Sequence, residues 1–194
     1  MPEEDLLEAY RKRRDFSRTP EPSGVDKKSS KKLIFVIHKH DAKKLHYDLR
    51  LELGGVLKSW AVPKGPSINQ RDRRLAVETE DHPLEYANFE GVIPEGEYGA
   101  GTVMVWDIGT YTNASRWEHK DVSMEEGLNK GKIKFILDGK KLKGKFVMMK
   151  TKWGDNWLLI KMKDEWAKNR DIVKDEPNSA LSGRSLEEIA KATK

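Results

Sequence analysis

His38, His40, His46, Asp48 and Arg50 lie close together in the stretch FVIHKHDAKKLHYDLR, residues 35–50. Imidazoles and a carboxylate are ligands for divalent transition metals. A guanidinium beside them suits a phosphate, because its paired donors match two oxygens. Whether these groups can meet depends on their spacing. Two β-like runs flank a short turn at 41–44, and side chains two apart on a strand share a face. An odd-numbered hairpin loop sets His40 opposite His46 and His38 opposite Asp48. It also sets Ile37 opposite Leu49 and Phe35 opposite Leu51, so apolar meets apolar. A slip by one residue would mix the faces, which is disfavoured when one face is buried. The second run then carries His46, Asp48, Arg50 and Glu52 on one side, and Leu45, Tyr47, Leu49, Leu51 and Leu53 on the other. The expectation is that His40, His46 and Asp48 converge on a divalent ion such as Mn, Fe, Co or Zn, with coordination positions left open. His38 shares that face as a fourth ligand, an anion contact or a surface histidine. Arg50 either clamps a phosphate or pairs with Asp48 or Glu52.

The elements that must hold these groups read mostly as strands. Gly54-Gly55 marks a two-residue hairpin that pairs Asp48 with Ala61, Leu49 with Trp60 and Arg50 with Ser59. The small partners leave room for a ligand beside the polar face. Pro63–Pro66 ends that strand. A further alternating run covers 74–80, and 81–86 leaves it, placing His82 and Tyr86 in a loop or helical turn. His82 could donate to a phosphoryl oxygen, protonate a leaving group or be structural. The Gly-rich loop 91–101 could let backbone approach a ligand, but it has neither the lysine nor the spacing of a P-loop. Strands are expected at 102–107, 132–137, 144–150 and 157–163, a capped helix at 123–129 and a final helix at 185–192. Many short strands with turn signals argue for a closed or sandwiched all-β core. Most tryptophans are expected in that core, and none is assigned as a base-stacking platform.

The bulk numbers exclude several classes. With 194 residues the chain can build one domain with tails. The absence of cysteine rules out a disulfide scaffold, a thiol nucleophile and a Cys-ligated zinc. A net charge of +5 leans mildly toward polyanions. No apolar run is long enough to span a bilayer and the N-terminus is acidic, so the expectation is a cytoplasmic protein without membrane partners. Residues 3–13 suit a short amphipathic helix with Leu6, Leu7 and Tyr10 on one side. The basic run Lys27–Lys32 reads as a linker or phosphate-facing arm, and by composition alone the first 30 residues read as a solvated tail.

Three blocks, FVIHKHDAKKLHYDLRLELGGVLKSWAVPKGP, RRLAVETEDHPLEY and FEGVIPEGEYGAGTVMVWD, resemble the 3′-phosphoesterase module of ATP-dependent DNA ligase D. That module acts in bacterial non-homologous end joining and also occurs as a free-standing bacterial or archaeal protein. The resemblance runs from RRDFSRTPEP to SGRSLEEIA. It implies a mainly β fold, a single-domain closed or partly closed β-barrel with short flanking helices, over residues 31–168. An arm (1–30) completes the active site, and a tail with a short helix follows (169–194). It implies a Mn²⁺-type ion, with Co²⁺ or Zn²⁺ as alternatives, held by His40, His46 and Asp48. Arg50, His82 and Tyr86 match residues that engage the scissile phosphate, and Lys64, Arg74 and Glu80 match supporting positions. Arg14, Asp15 and Glu21 match positions tied to a ribonuclease step, which replaces the solvated-tail reading. His38 departs from the pattern, since glutamine is expected there in many relatives. The implied activity removes a 3′-terminal ribonucleoside to leave a 3′-phosphate, then hydrolyses that phosphate to a 3′-OH. The implied partners are DNA primer-template ends and a separate ligase, polymerase and end-binding protein. The rival readings are a mononuclear Fe(II) oxygenase and a non-catalytic DNA-end-binding module.

Overall fold

The computed structural model describes residues 5–24 and 31–192. The start of the predicted 3–13 helix and most of the Lys27–Lys32 run fall outside them. Nine strands form one antiparallel sheet: β1 (Ile34–Asp41), β2 (Leu45–Leu53), β3 (Val56–Val62), β4 (Arg74–Pro83), β5 (Gly91–Ile93), β6 (Gly101–Asn113), β9 (Lys132–Gly139), β10 (Lys143–Lys150) and β11 (Asn156–Lys161). A small outlying hairpin pairs β7 (Arg116–Trp117) with β8 (Lys120–Asp121). The sheet order is β1-β2-β3-β4-β11-β10-β9-β6-β5, and a β1–β6 pairing closes the first eight strands into a barrel. The helices are short: α1 (Glu8–Lys12), α2 (Met124–Asn129), α3 (Ile172–Asp175), α4 (Leu186–Ala192) and a 3-10 turn (Leu84–Asn88). Ser123 caps α2 by accepting the Glu126 N–H at 3.0 Å, as its SMEE start predicts.

The alternation of residue types fills the lumen. Phe35, Ile37, Leu49, Leu51, Trp60, Met104, Trp106, Phe135, Phe146 and Trp157 all point inward and are buried. Each such side chain contributes roughly 1.5–3 kcal/mol by leaving water. A second cluster lies outside the barrel wall, where Tyr10, Val36, Leu57, Tyr86, Ala87 and Val105 pack together. The wall formed by β1, β2, β3 and β6 is thus buried on both faces. The arm with α1 and the 3-10 turn cover its outer face.

Several expectations need correction. The strand expected at 102–107 runs on to Asn113, because its first half pairs with β1 and β5 and its second half with β9. His82 lies on β4, not in an exit loop, since β4 stays paired with β3 as far as Pro83 opposite Val56. Only Trp60, Trp106 and Trp157 are core, while Trp117, Trp153 and Trp166 are exposed. The polar stretch after Trp166 packs on the barrel. Ile172 and Ile189 join the lumen core, Trp106 Nε1 donates to the Glu176 carbonyl at 2.7 Å, and Lys141 Nζ donates to the Glu176 and Asn178 carbonyls.

Gly109 pairs with Phe35 on one side and Gly139 on the other. A Cβ there would overlap the Asp138 carbonyl oxygen, which the ladder cannot move aside. Gly109→Ala is expected to lower unfolding free energy by about 3 kcal/mol, read as a drop in the urea midpoint at unchanged m-value. A midpoint equal to that of the parent would refute the close approach.

Candidate active site

The polar groups of the β1–β2 hairpin meet as the register predicts: His40 opposite His46, His38 opposite Asp48, Val36 opposite Arg50. Across β2–β3, Asp48 faces Ala61 and Arg50 faces Ser59. These residues line the outer face of the barrel wall, and a cleft of about 260 Å³ opens over them.

His40, His46 and Asp48 place one ligand atom each within 4.8 Å of one another. His40 Nε2 lies 2.8 Å from the Gly99 carbonyl, and His46 Nδ1 lies 2.9 Å from the Lys44 carbonyl. A carbonyl can only accept, so these contacts assign the ring protons to His40 Nε2 and His46 Nδ1. The lone pairs that remain, on His40 Nδ1 and His46 Nε2, face the Asp48 carboxylate at 3.9 and 3.7 Å. Burial holds His40 below the ordinary imidazole range, which keeps it a neutral donor of electrons. Two lone pairs and a carboxylate turned toward one point fit a divalent cation. Backbone carbonyls behind both imidazoles are the outer support such ligands commonly have.

Arg50 occupies the next step along β2. Its Nε donates to His38 Nδ1 at 3.2 Å and its Nη2 to Asp48 Oδ2 at 3.2 Å. The ring of Tyr86 lies beneath it, 5.0 Å from centroid to guanidinium carbon. His38 is therefore a buried partner of Arg50, not a fourth member of the ligand group or a surface histidine. Its pKa is pushed well below the usual value by burial, then by the Arg50 charge.

His82 reaches the cleft through a β-bulge. Leu57 pairs with His82 and Ser59 with Thr79, so three steps on β4 match two on β3. Residues three apart on a regular strand point to opposite faces. The bulge turns Thr79 and His82 to the same side, and both line the cleft. Asp81 is turned away, to Lys58 at 2.6 Å. His82 Nδ1 lies 2.9 Å from the Glu80 carbonyl and 3.1 Å from Arg50 Nη1, so an acceptor and a donor face the same nitrogen. Its Nε2 lies 3.4 Å from Arg14 Nη2, so a guanidinium stands against each ring nitrogen. Burial, followed by Arg50 and Arg14, holds this ring neutral as well.

The N-terminal arm closes one side. Arg14 Nε donates to Glu21 Oε1 at 3.0 Å, and Tyr86 Oη donates to the same oxygen at 2.9 Å. Arg14 Nη1 reaches Glu80 at 3.3 Å, and the guanidinium stacks 3.8 Å over Tyr10. Burial and the Glu21 carboxylate hold the Tyr86 hydroxyl well above its usual range, so it stays a donor.

The cleft thus gathers Arg14, Glu21, His40, His46, Asp48, Arg50, Glu80, His82 and Tyr86. Three candidates are not among the residues that line it. Asp15 is exposed and accepts from Ser17, Lys64 is exposed on the β3–β4 loop, and Arg74 pairs with Asp72 at the far end of β4. Sequence reasoning named no single residue of the Gly-rich loop, yet Ile93, Tyr98 and Gly99 from it complete the wall. The run of glycines was the available signal.

A family model described as "DNA Ligase D 3′-phosphoesterase domain" matches residues 38–150. A Pseudomonas aeruginosa protein named "Multifunctional non-homologous end joining protein LigD" is 48% identical, over 96% of this chain and 22% of its own length. The protein of that name from Mycolicibacterium smegmatis is 45% identical over 83% of this chain and 21% of its own. A Mycobacterium tuberculosis relative, "Multifunctional non-homologous end joining DNA repair protein LigD", is 44% identical over 84% and 21%. The chain spans about a fifth of the length of these curated relatives.

The buried neutral imidazoles generate a pH dependence. The ordinary histidine value is 6.5, and His38 and His82 lie well below it in the fold. Above that value both states are neutral and the fold loses nothing. Below it the unfolded chain takes up protons that the buried rings refuse, so stability falls with falling pH, by up to about 1.4 kcal/mol per pH unit for each ring. His38→Gln retains an acceptor for Arg50 and is expected to decline less steeply below pH 6.5 than the parent, in urea titrations of metal-free protein. Parallel declines would show that His38 does not resist protonation.

Proposed function

This chain belongs to the DNA ligase D 3′-phosphoesterase family, and on that premise we propose that it is a metal-dependent hydrolase that trims DNA 3′ ends for repair ligation. In this reading it removes a 3′-terminal ribonucleoside to leave a 3′-phosphate, and then hydrolyses the phosphate to a 3′-OH. The observation that carries it is the convergence of two imidazole lone pairs and a carboxylate beside a buried, donor-rich guanidinium. His40, His46 and Asp48 would hold the ion, with Mn²⁺ the best candidate and Co²⁺ or Zn²⁺ as alternatives. When bound, such an ion polarises a phosphoryl oxygen and makes a bound water more acidic.

The chain's own residues do the rest. Arg50 is held rigid by His38 and Asp48 and keeps donors for phosphoryl oxygens, where charge accumulates in phosphoryl transfer. His82 is held neutral by burial and by the two guanidiniums that face its ring nitrogens. A phosphate entering between them offsets those charges and lets His82 carry a proton to the leaving oxygen. Tyr86 donates its hydroxyl to Glu21 and so ties the arm to the barrel. Arg14, Glu21 and Glu80 stand at the arm side, where a ribose hydroxyl would find acceptors that a bare phosphate does not need. The relatives' names speak of non-homologous end joining and DNA repair; DNA ends are the proposed substrate, and a separate ligase, polymerase and end-binding protein the proposed partners. Among the described residues no helix is long and apolar enough to cross a membrane.

Two outcomes are expected. His46→Ala loses Mn²⁺ affinity by about 100-fold or more in calorimetric titration, with both hydrolytic steps. Phosphate release from a 3′-phosphate end by that variant in added Mn²⁺ would sink the ligand assignment. Arg14→Ala slows ribonucleoside removal from a labelled primer-template more than it slows 3′-dephosphorylation, followed by gel without oxygen. Equal losses on the two ends would refute that division of labour.

A further inference from the structure

Tyr98 differs from the chain's other four tyrosines. Those are buried, at 0–5% exposure for Tyr10, Tyr47, Tyr86 and Tyr111, whereas Tyr98 is 47% exposed at the mouth of the cleft. An exposed ring on a loop would ordinarily swing freely, but this one is fixed from several directions. The next residue, Gly99, accepts from His40 Nε2, which ties the loop to the ligand group. Gly99 has φ +75, a conformation that a side chain there would strain. Ala100 N–H donates to the Glu97 carbonyl at 3.1 Å, and Arg18 pairs with Glu97 at 3.0 Å. Arg13 Nη1 donates to the Tyr98 hydroxyl at 2.9 Å and to Glu80 Oε2 at 2.9 Å. The guanidinium carbons of Arg13 and Arg14 lie 5.2 and 5.3 Å from the ring centroid.

The ring is therefore an oriented aromatic surface, half open to solvent, on the residue before Gly99, whose carbonyl faces His40, and in contact with the arm. Nothing in the hydrolytic scheme uses it. A nucleobase has an aromatic face, stacks on such a ring without regard to sequence, and would be carried to this mouth by a 3′-terminal nucleotide whose phosphate lies at Arg50. We propose that Tyr98 is the stacking platform for the base of the 3′-terminal nucleoside, and so a specificity-determining residue that favours nucleoside-bearing ends over bare phosphate ends. The inference rests on the proposed hydrolysis of DNA 3′ ends and names which part of the substrate this wall recognises. Its action is on binding, since the ring offers no group to the reacting phosphorus.

The test compares the parent, Tyr98→Ala and Tyr98→Phe with Mn²⁺ on three substrates. These are a primer-template ending in one ribonucleotide, the same end with a base-free terminal ribose, and p-nitrophenyl phosphate. Tyr98→Ala is expected to raise KM on the ribonucleotide end by about ten-fold with little change in kcat, the size of one lost base–aromatic stack. The base-free end and the small ester should be unaffected, and Tyr98→Phe, which keeps the ring and loses the Arg13 bond, should restore most of the KM. Equal losses on all three substrates, no loss with alanine, or failure of phenylalanine to rescue would each overturn the proposal. A parent inactive on all three substrates would count against the hydrolase reading, so binding is read separately. With 2-aminopurine as the terminal base, quenching on binding should be present in the parent and Tyr98→Phe and absent in Tyr98→Ala. Equal quenching in all three would overturn the stacking role whatever the turnover.

Discussion

Arg50 is a full positive charge set into the wall of a barrel, 4% exposed. A guanidinium cannot shed its proton to escape that position, so its surroundings must offset the loss of water. Asp48 supplies the opposite charge, His38 an acceptor and Tyr86 an aromatic face. The same charge decides the state of its neighbours. After burial itself, Arg50 is the largest influence holding both His38 and His82 neutral. One buried cation thus sets which rings carry lone pairs and where protons can rest. The arm repeats the arrangement with a second buried pair, Arg14 and Glu21, joined to the first through Tyr86.

Both charges can be buried because the wall is covered twice. Inside, the aromatic lumen packs against the inner faces of all eight barrel strands. Outside, the arm and the 3-10 turn lie over β1, β3 and β6. The hairpin alone would leave its polar face in water, where ion pairs are weak. Under the arm the same groups act at short range in a water-poor cleft. The bulge in β4 completes this by delivering His82 while turning Asp81 away, so no additional carboxylate faces Arg50.

How much of this could be read from the chain follows from the kind of constraint involved. The β1–β2 and β2–β3 registers were legible because strand periodicity is two and each hairpin loop length leaves one register that matches apolar to apolar. The convergence of His40, His46 and Asp48 follows from that register and needs no tertiary information. The place of His82 was not legible, because a bulge is an exception to periodicity with no residue signature in RRLAVETEDHP. The arm looked like a solvated tail because its charges, read singly, suit water. Only their pairing with Glu80 and Tyr86, some sixty-six residues away, makes them buried groups. His38 misled for the opposite reason: a histidine beside two ligand-type histidines invites grouping with them, yet its partner is the arginine across the hairpin. Lys64 and Arg74 entered by resemblance alone, and neither is among the residues that line the cleft.

The shared carboxylate links the two halves of the cleft. Asp48 Oδ2 faces Arg50 Nη2 at 3.2 Å and His40 Nδ1 at 3.9 Å, so one oxygen serves both the guanidinium and the ligand group. Around it, Arg14 and Arg50 are already matched by Glu21, Glu80 and Asp48, which leaves no surplus of positive charge to draw in a phosphate. Under the proposed function, Asp48 would share its charge between a bound cation and Arg50, and Arg50 would then have a donor to turn toward the substrate. A phosphate bound at Arg50 in turn raises the negative potential at the ligand group. Each ligand would then favour the other, and linkage makes that coupling equal in both directions. The hairpin register brings this about by setting Asp48 two residues from both His46 and Arg50 on one face of β2.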